Sequence, residues 1–168
     1  MAVHNTDEAG RSLKGGVLGG LIAGIVLSLF MLATNIMNGS DVWVGMKAAG
    51  LPFLGERGKL PGFDAVAVVV GVFSHMVVSI VWGTLFGLLF YGLSKTATLV
   101  AGLGWGIVVW IGMAYVLLPL LGLGDLMAGM PIGLAMLEHL LFGEVVAIVF
   151  LPFQRSIPRR QLHPRHSG

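Results

Sequence analysis

Four apolar runs, at about 15–37, 65–93, 97–123 and 131–153, are set apart by polar or glycine-rich breaks and organise the whole chain. Each holds roughly 20 residues or more, enough for a helix to cross about 30 Å of hydrocarbon. The pattern predicts an all-α protein, an integral membrane four-helix bundle in up-down-up-down order. Residues 1–168 then form a single membrane domain, with an outer loop at 38–64 and a basic tail at 154–168. Within the loop, Ser40-Asp41-Val42-Trp43-Val44 starts a short interfacial segment with Trp43 at headgroup level. Pro52, Pro61 and several glycines turn the chain back toward the second helix. Pro119 predicts a kink or an early stop near the end of the third.

The two halves of the chain align. Gly20, Gly24 and Met31 of the first helix correspond to Gly102, Gly106 and Met113 of the third. His75-(x3)-Ser79-(x3)-Gly83 corresponds to His139-(x3)-Gly143-(x3)-Ala147. Two tandem two-helix repeats, related by an axis along the membrane normal, account for this. The ladder Gly16/Gly20/Gly24, with Gly83/Gly87 and Gly102/Gly106, has the small-xxx-small spacing that lets helix backbones approach closely.

Composition reinforces the membrane assignment. Only 11% of the residues are charged, 56% are apolar and the mean hydropathy is +0.91, against about 25% charged in a soluble domain. The absence of cysteine excludes disulfides, thiolate metal sites, iron–sulfur clusters and cysteine nucleophiles. The first apolar run is too long for a signal-peptide core and ends in Ala33-Thr34-Asn35, so it is read as a retained helix. Arg11, Lys14, Lys95, Arg155, Arg159, Arg160 and Arg165 fall on the side of the termini, and Lys47, Arg57 and Lys59 on the other. By the positive-inside rule both termini are expected in the cytoplasm of a bacterial inner membrane. A basic tail directly after a spanning helix reads as a contact to anionic lipid, not to nucleic acid.

Several segments carry a family likeness: His75-Met-Val-Val-Ser-Ile-Val-Trp-Gly83-Thr-Leu-Phe-Gly87, Gly104-Trp-Gly-Ile-Val-Val-Trp110-Ile-Gly-Met, Pro119-Leu-Leu-Gly-Leu-Gly124 and His139-Leu-Leu-Phe-Gly143. Over most of helices two to four the chain resembles a family of uncharacterised bacterial four-helix inner-membrane proteins, a domain of unknown function. The resemblance implies the fold and a histidine at the positions of His75 and His139. Glu138 and Glu144 depart from the family pattern, and the resemblance implies no activity.

His75 and His139 are the chemistry-bearing residues. Ionisable groups within spans are costly and mark function by default. Both lie about the same distance into helices running in one direction, at similar depth in the outer half of the bilayer. Diagonally opposed helices then let the two imidazoles address one object. Gly71 and Ala135 stand four residues before them, Ser79 and Gly143 four after. This small-xxx-His-xxx-small pattern suits axial ligation of haem b or another tetrapyrrole. The alternative is structural, each ring bonded to a carbonyl or a polar side chain of another helix.

Glu138 and Glu144 cannot share a face with His139, since they stand about 100° and 140° from it in opposite directions. Glu144, beside the Gly143/Ala147 face, is expected to point inward, and Glu138 toward lipid or a partner subunit. Met31, Met37, Met76, Met113, Met127, Met130 and Met136 gather toward the same outer half. Thioether with imidazole favours Cu(I), while methionine also fills gaps in apolar cores. No phosphate-binding loop, zincin motif, nucleophile elbow or dinucleotide fingerprint occurs, so a non-enzymatic role is expected. The leading expectation is an accessory subunit of a respiratory or photosynthetic membrane complex, binding a tetrapyrrole through its histidine pair. The alternative is a small proton, metal-ion or solute carrier or channel.

Overall fold

The computed structural model describes residues 2–127 and 131–155, and among these every regular element is helical. α1 runs Ala2–Met37, and the loop behind it folds into α2 (Val44–Ala48), α3 (Leu51–Leu54) and a tight turn at Gly55–Lys59. α4 (Ala65–Phe90) crosses back, and α5 (Lys95–Ile111) returns through a widened turn at Gly112–Leu117 into α6 (Leu118–Leu120). α7 (Ile132–Phe150) ends in a tight turn at Leu151–Phe153. Four of the resulting stretches, Thr6–Met37, Ala65–Phe90, Lys95–Leu120 and Ile132–Phe153, are long and apolar enough to cross a membrane. The protein is a multi-pass four-helix bundle.

Local chemistry sets the boundaries. Asp64 caps α4 by accepting from the Ala67 amide at 3.1 Å, and Ser94 caps α5 by accepting from Ala97 at 3.3 Å. α4 stops at Phe90, three residues short of the expected 93, because Gly92 turns the chain at φ +91. Pro119 lacks an amide proton and crowds the carbonyl one turn earlier, and the widened turn at Gly112–Leu117 lies where that crowding must be relieved. Of the two effects expected of Pro119, the early stop is present, since the helix ends at Leu120.

α1 begins well before the expected residue 15, because the polar N-terminal segment packs rather than solvates. Ser12 is buried and donates to the Gly87 carbonyl at 2.7 Å, Arg11 reaches the Gln154 carbonyl at 3.4 Å, and Glu8 pairs with Arg155. Gln154, expected as the first tail residue, is likewise buried. Arg159, Arg160 and Arg165 lie outside the described residues.

Packing follows side-chain size. α1 lies closely along α4 and α7, and α5 along α7, wherever glycines face backbone. A Cβ added at Gly16 would come within 2.7 Å of the Gly83 carbonyl, and one at Gly20 would overlap the Ser79 carbonyl. α4 and α5, although consecutive in the chain, stay apart, and aromatic rings fill the wider seam. Trp105 meets Trp82 at 5.7 Å, Phe86 at 6.1 Å and Phe90 at 5.7 Å between ring centroids. Such edge-to-face pairs add roughly 0.5–1.5 kcal/mol each beyond burial. α4 and α7 are diagonal across the bundle, as the chain order predicts.

Candidate functional site

The repeat seen in the sequence is a repeat of contacts. In the first hairpin, Gly20 of α1 abuts Ser79 and Gly83 of α4. In the second, Gly102 of α5 abuts Gly143 and Ala147 of α7, the corresponding pair. Gly24 meets Ser79, and Gly106 lies against the His139 backbone at 2.5 Å for an added Cβ. Each hairpin therefore builds the same close crossing and carries one histidine a turn nearer the loop end.

Each ring is tied within its own hairpin. His75 shares the α4 stripe of Ser79 and Gly83 against α1, and its Nε2 lies 3.2 Å from the Gly24 carbonyl. A carbonyl only accepts, so Nε2 carries the proton and Nδ1 is left bare. His139 shares the α7 stripe of Gly143 and Ala147 against α5, and its Nδ1 donates to Ala135 of its own helix at 2.7 Å. Its Nε2 is the bare nitrogen.

The small residues beside the histidines are also accounted for. Gly71 faces the loop, where an added Cβ would overlap the Met46 carbonyl oxygen, and Gly50 packs on the same spot. Ser79 and Gly143 are helix-crossing residues, and Ala135 is fully buried.

The two glutamates are placed opposite to expectation. Glu138 is the inward one, 6% exposed on the stripe of Ala135, Phe142 and Val146, while Glu144 is only partly buried. The reason is which face of α7 meets α5. The Gly143/Ala147 face is consumed by α5, so the interior is lined by the neighbouring stripe, to which Glu138 belongs. Among the described residues, Glu138 has no hydrogen-bond or ion-pair partner.

Sequence reasoning missed Lys47. Counted only as a charge on the loop side, it is 1% exposed and among the largest of the fully buried side chains of the described residues. Its Nζ donates to the carbonyls of Leu60 and, at 2.8 Å, Gly62, and stands 3.7 Å from Asp41. Asp41 in turn accepts from the amides of Trp43 at 2.9 Å and Gly62 at 2.8 Å. These two amides, and then Lys47, hold the Asp41 carboxyl below the usual aspartate value. The signal was available, because Lys47 is the lone cation of a short helix otherwise made of Val, Gly, Met and Ala. The loop is thus a folded cap on α4, and Trp43 packs edge-on to Phe63 at 4.9 Å.

Beneath the cap lies a small cleft lined by Ser28 and Met31 of α1, Gly45 and Met46 of α2, and Val72 and His75 of α4. It encloses about 10 Å³, the space of a single water molecule. No cluster of three or more His, Cys, Asp or Glu side chains able to hold a metal occurs among the described residues. Met130 and the side chain of Met127 fall outside them.

With this geometry established, the chain was compared with known proteins. A family of unknown function, DUF6789, matches residues 11–160. The chain belongs to that family. The DUF6789 match begins at Arg11 within α1 and continues past α7, so it covers most of the first span, the other three and the loop cap. No curated protein and no solved structure matched the chain.

Proposed function

We propose that this DUF6789 protein is a non-enzymatic carrier or channel for a small cation, working in the loop-side half of its bundle. One observation carries the reading: Glu138 is buried in the interior stripe of α7 with no partner among the described residues. A carboxyl within a span and without a partner is costly, and in membrane bundles such groups mark ion or proton pathways. His75 and His139, each with one bare nitrogen at similar depth, supply neutral acceptors nearby in the same half. The orientation is proposed from charge: termini in the cytoplasm of a bacterial inner membrane, cap outside. The loop cations support it, since Lys47 is buried, Arg57 is paired with Asp64 and Lys59 with Glu56.

The test is flux. Protein reconstituted into vesicles enclosing a pH-sensitive dye is given an inward proton gradient under a potassium–valinomycin potential. Wild type should dissipate the gradient, and Glu138→Gln should do so at least tenfold more slowly while keeping its elution volume. Wild-type vesicles as tight as protein-free ones would remove proton carriage.

A second reading is favoured by His139. Its Nδ1–H donates to a backbone carbonyl, as in ligating histidines, and leaves Nε2 free for an axial position. An accessory subunit of a membrane complex holding a tetrapyrrole would use this nitrogen. A Soret band in the purified protein, lost in His139→Ala, supports it; a colourless preparation with no co-purifying subunits counts against it.

A further inference from the structure

The cleft under the cap brings together side chains from three separate elements: Met31 from α1, Met46 from α2, and His75 from α4. We infer that this cleft is a binding site for a monovalent soft metal ion, Cu(I) being the biological representative, with the two thioethers and the His75 imidazole as donors. The inference goes beyond the proposed carriage role, because it concerns different residues from Glu138 and holds whether or not protons cross.

Three features of the site point the same way. The first is donor softness. Thioether and imidazole select Cu(I), whereas magnesium, calcium and manganese prefer oxygen ligands. Ser28 is the remaining polar side chain on the lining, and its hydroxyl, which donates to the Gly24 carbonyl at 2.9 Å, offers a single neutral oxygen.

The second is charge. No carboxylate lines the cleft, so nothing there balances a divalent ion. An ion in a low-dielectric surrounding is disfavoured more steeply as its charge rises, and neutral donors therefore favour a single positive charge.

The third is the state of the ring. His75 donates from Nε2 to Gly24, which fixes the tautomer and leaves Nδ1 unprotonated. Ligating histidines are commonly held this way, with the second nitrogen tied to a carbonyl. The space, about 10 Å³, fits an ion stripped of water and no larger ligand.

The cap gives the site a means of access. α2 carries Met46 and Gly45, and the Met31 methyl end lies 2.9 Å from where a Cβ on Gly45 would stand. Raising the cap separates Met46 from Met31 and His75, and seating it completes the set. The second hairpin repeats part of the pattern in its sequence, with Met113 and His139 at the positions of Met31 and His75.

Silver(I), redox-inert and equally soft, is the direct probe. Full-length protein in nanodiscs is titrated with Ag(I) against a competing chelator, and with Cu(I) under anaerobic conditions for X-ray absorption. The expected result is a bound ion with sulfur and nitrogen scatterers, and no Zn(II) taken up at the same place. Met31→Leu/Met46→Leu, which keeps core volume and should keep the fold, is expected to lose one ion per chain or to bind it at least tenfold more weakly. Sulfur scattering should vanish with it, which separates this site from the nitrogen donors of the tail histidines. Glu138→Gln should bind Ag(I) like wild type, so failed proton flux and failed metal binding remain distinct results. Silver binding unchanged in the double variant, or a wild-type metal shell with no sulfur, would overturn the inference.

Discussion

Gly71 of α4 rests directly on the carbonyl oxygen of Met46 in α2, so closely that a side chain at position 71 has no place to go. This contact seats the cap on the bundle and closes the cleft beside His75. Gly71→Ala forces a Cβ into backbone that cannot move without lifting α2. A cost of about 1–3 kcal/mol is expected, as for overpacking a filled interior. Gly104→Ala is the control, because an added Cβ there meets nothing within 4 Å and alanine favours the helix by about 0.8–1 kcal/mol. Thermal unfolding in one detergent should separate the two in opposite directions. Equal melting temperatures would mean that the cap is not seated on Gly71.

Lys47 holds the cap together from inside. It joins the carbonyls of Leu60 and Gly62 to Asp41, linking the start and end of the loop. Lys47→Met keeps the aliphatic stem but removes the donor to two carbonyls and the positive charge beside Asp41. Hydrogen bonds to a charged group are worth about 1.5–3 kcal/mol, so the cap should open far more often. Proteolysis at Arg57 or Lys59, both on the exposed turn, should accelerate about tenfold or more if opening limits cleavage. Unchanged cleavage would place the cap's stability elsewhere.

How much of this was legible in the chain depends on what each residue's environment needed to be. The spans were readable because apolar runs of that length have few other uses, and the hairpin repeat because glycine spacing reports backbone approach directly. Gly71 was misleading. A small residue before a histidine has the same appearance whether it clears space for a ring or admits a carbonyl from a distant loop. Glu138 was misplaced because helical spacing gives angles around one helix, not which neighbour occupies each angle. Gln154 and Lys47 looked polar and hence exposed. Their side-chain hydrogen bonds reach groups 13 to 64 residues away along the chain.

The cap should also be acid-labile. Asp64 accepts from Arg57 at 2.7 and 2.9 Å and caps α4, and these contacts lower its carboxyl from 3.8 to about 2, the Arg57 hydrogen bonds contributing most. Asp41 is lowered too, chiefly by the Trp43 and Gly62 amides. A group depressed in the seated cap takes up its proton more readily when the cap is open. The stability these carboxylates add is therefore full above the ordinary aspartate value and is lost as the pH falls through the seated one. Cleavage of the loop by pepsin should rise from about pH 4 toward about pH 2, and Asp64→Asn should flatten part of that rise. A pH-independent rate would show that the cap does not depend on either carboxylate.

At the opposite end, Gln154 does for the termini what Lys47 does for the loop. Its Nε2 donates to the Phe90 carbonyl at 2.9 Å and to Thr98 Oγ1 at 2.7 Å, while its Oε1 accepts from the Gly92 amide at 2.7 Å. One amide thereby ties the end of α7 to the turn between α4 and α5, the two helices whose seam holds the Trp82, Phe86, Phe90 and Trp105 rings. Gln154→Ala removes all three bonds and leaves buried groups unpaired. A loss of about 2–4 kcal/mol is expected, from about 1 kcal/mol net per bond plus desolvation of the stranded partners. Gln154→Glu keeps the shape but offers no donor to Phe90 or Thr98 when ionised, so it should rescue little at neutral pH. Chemical denaturation of the three proteins in one detergent decides it: Gln154→Ala within about 0.5 kcal/mol of wild type, the range of an ordinary surface change, would mean that the α4–α5 turn is held without this side chain.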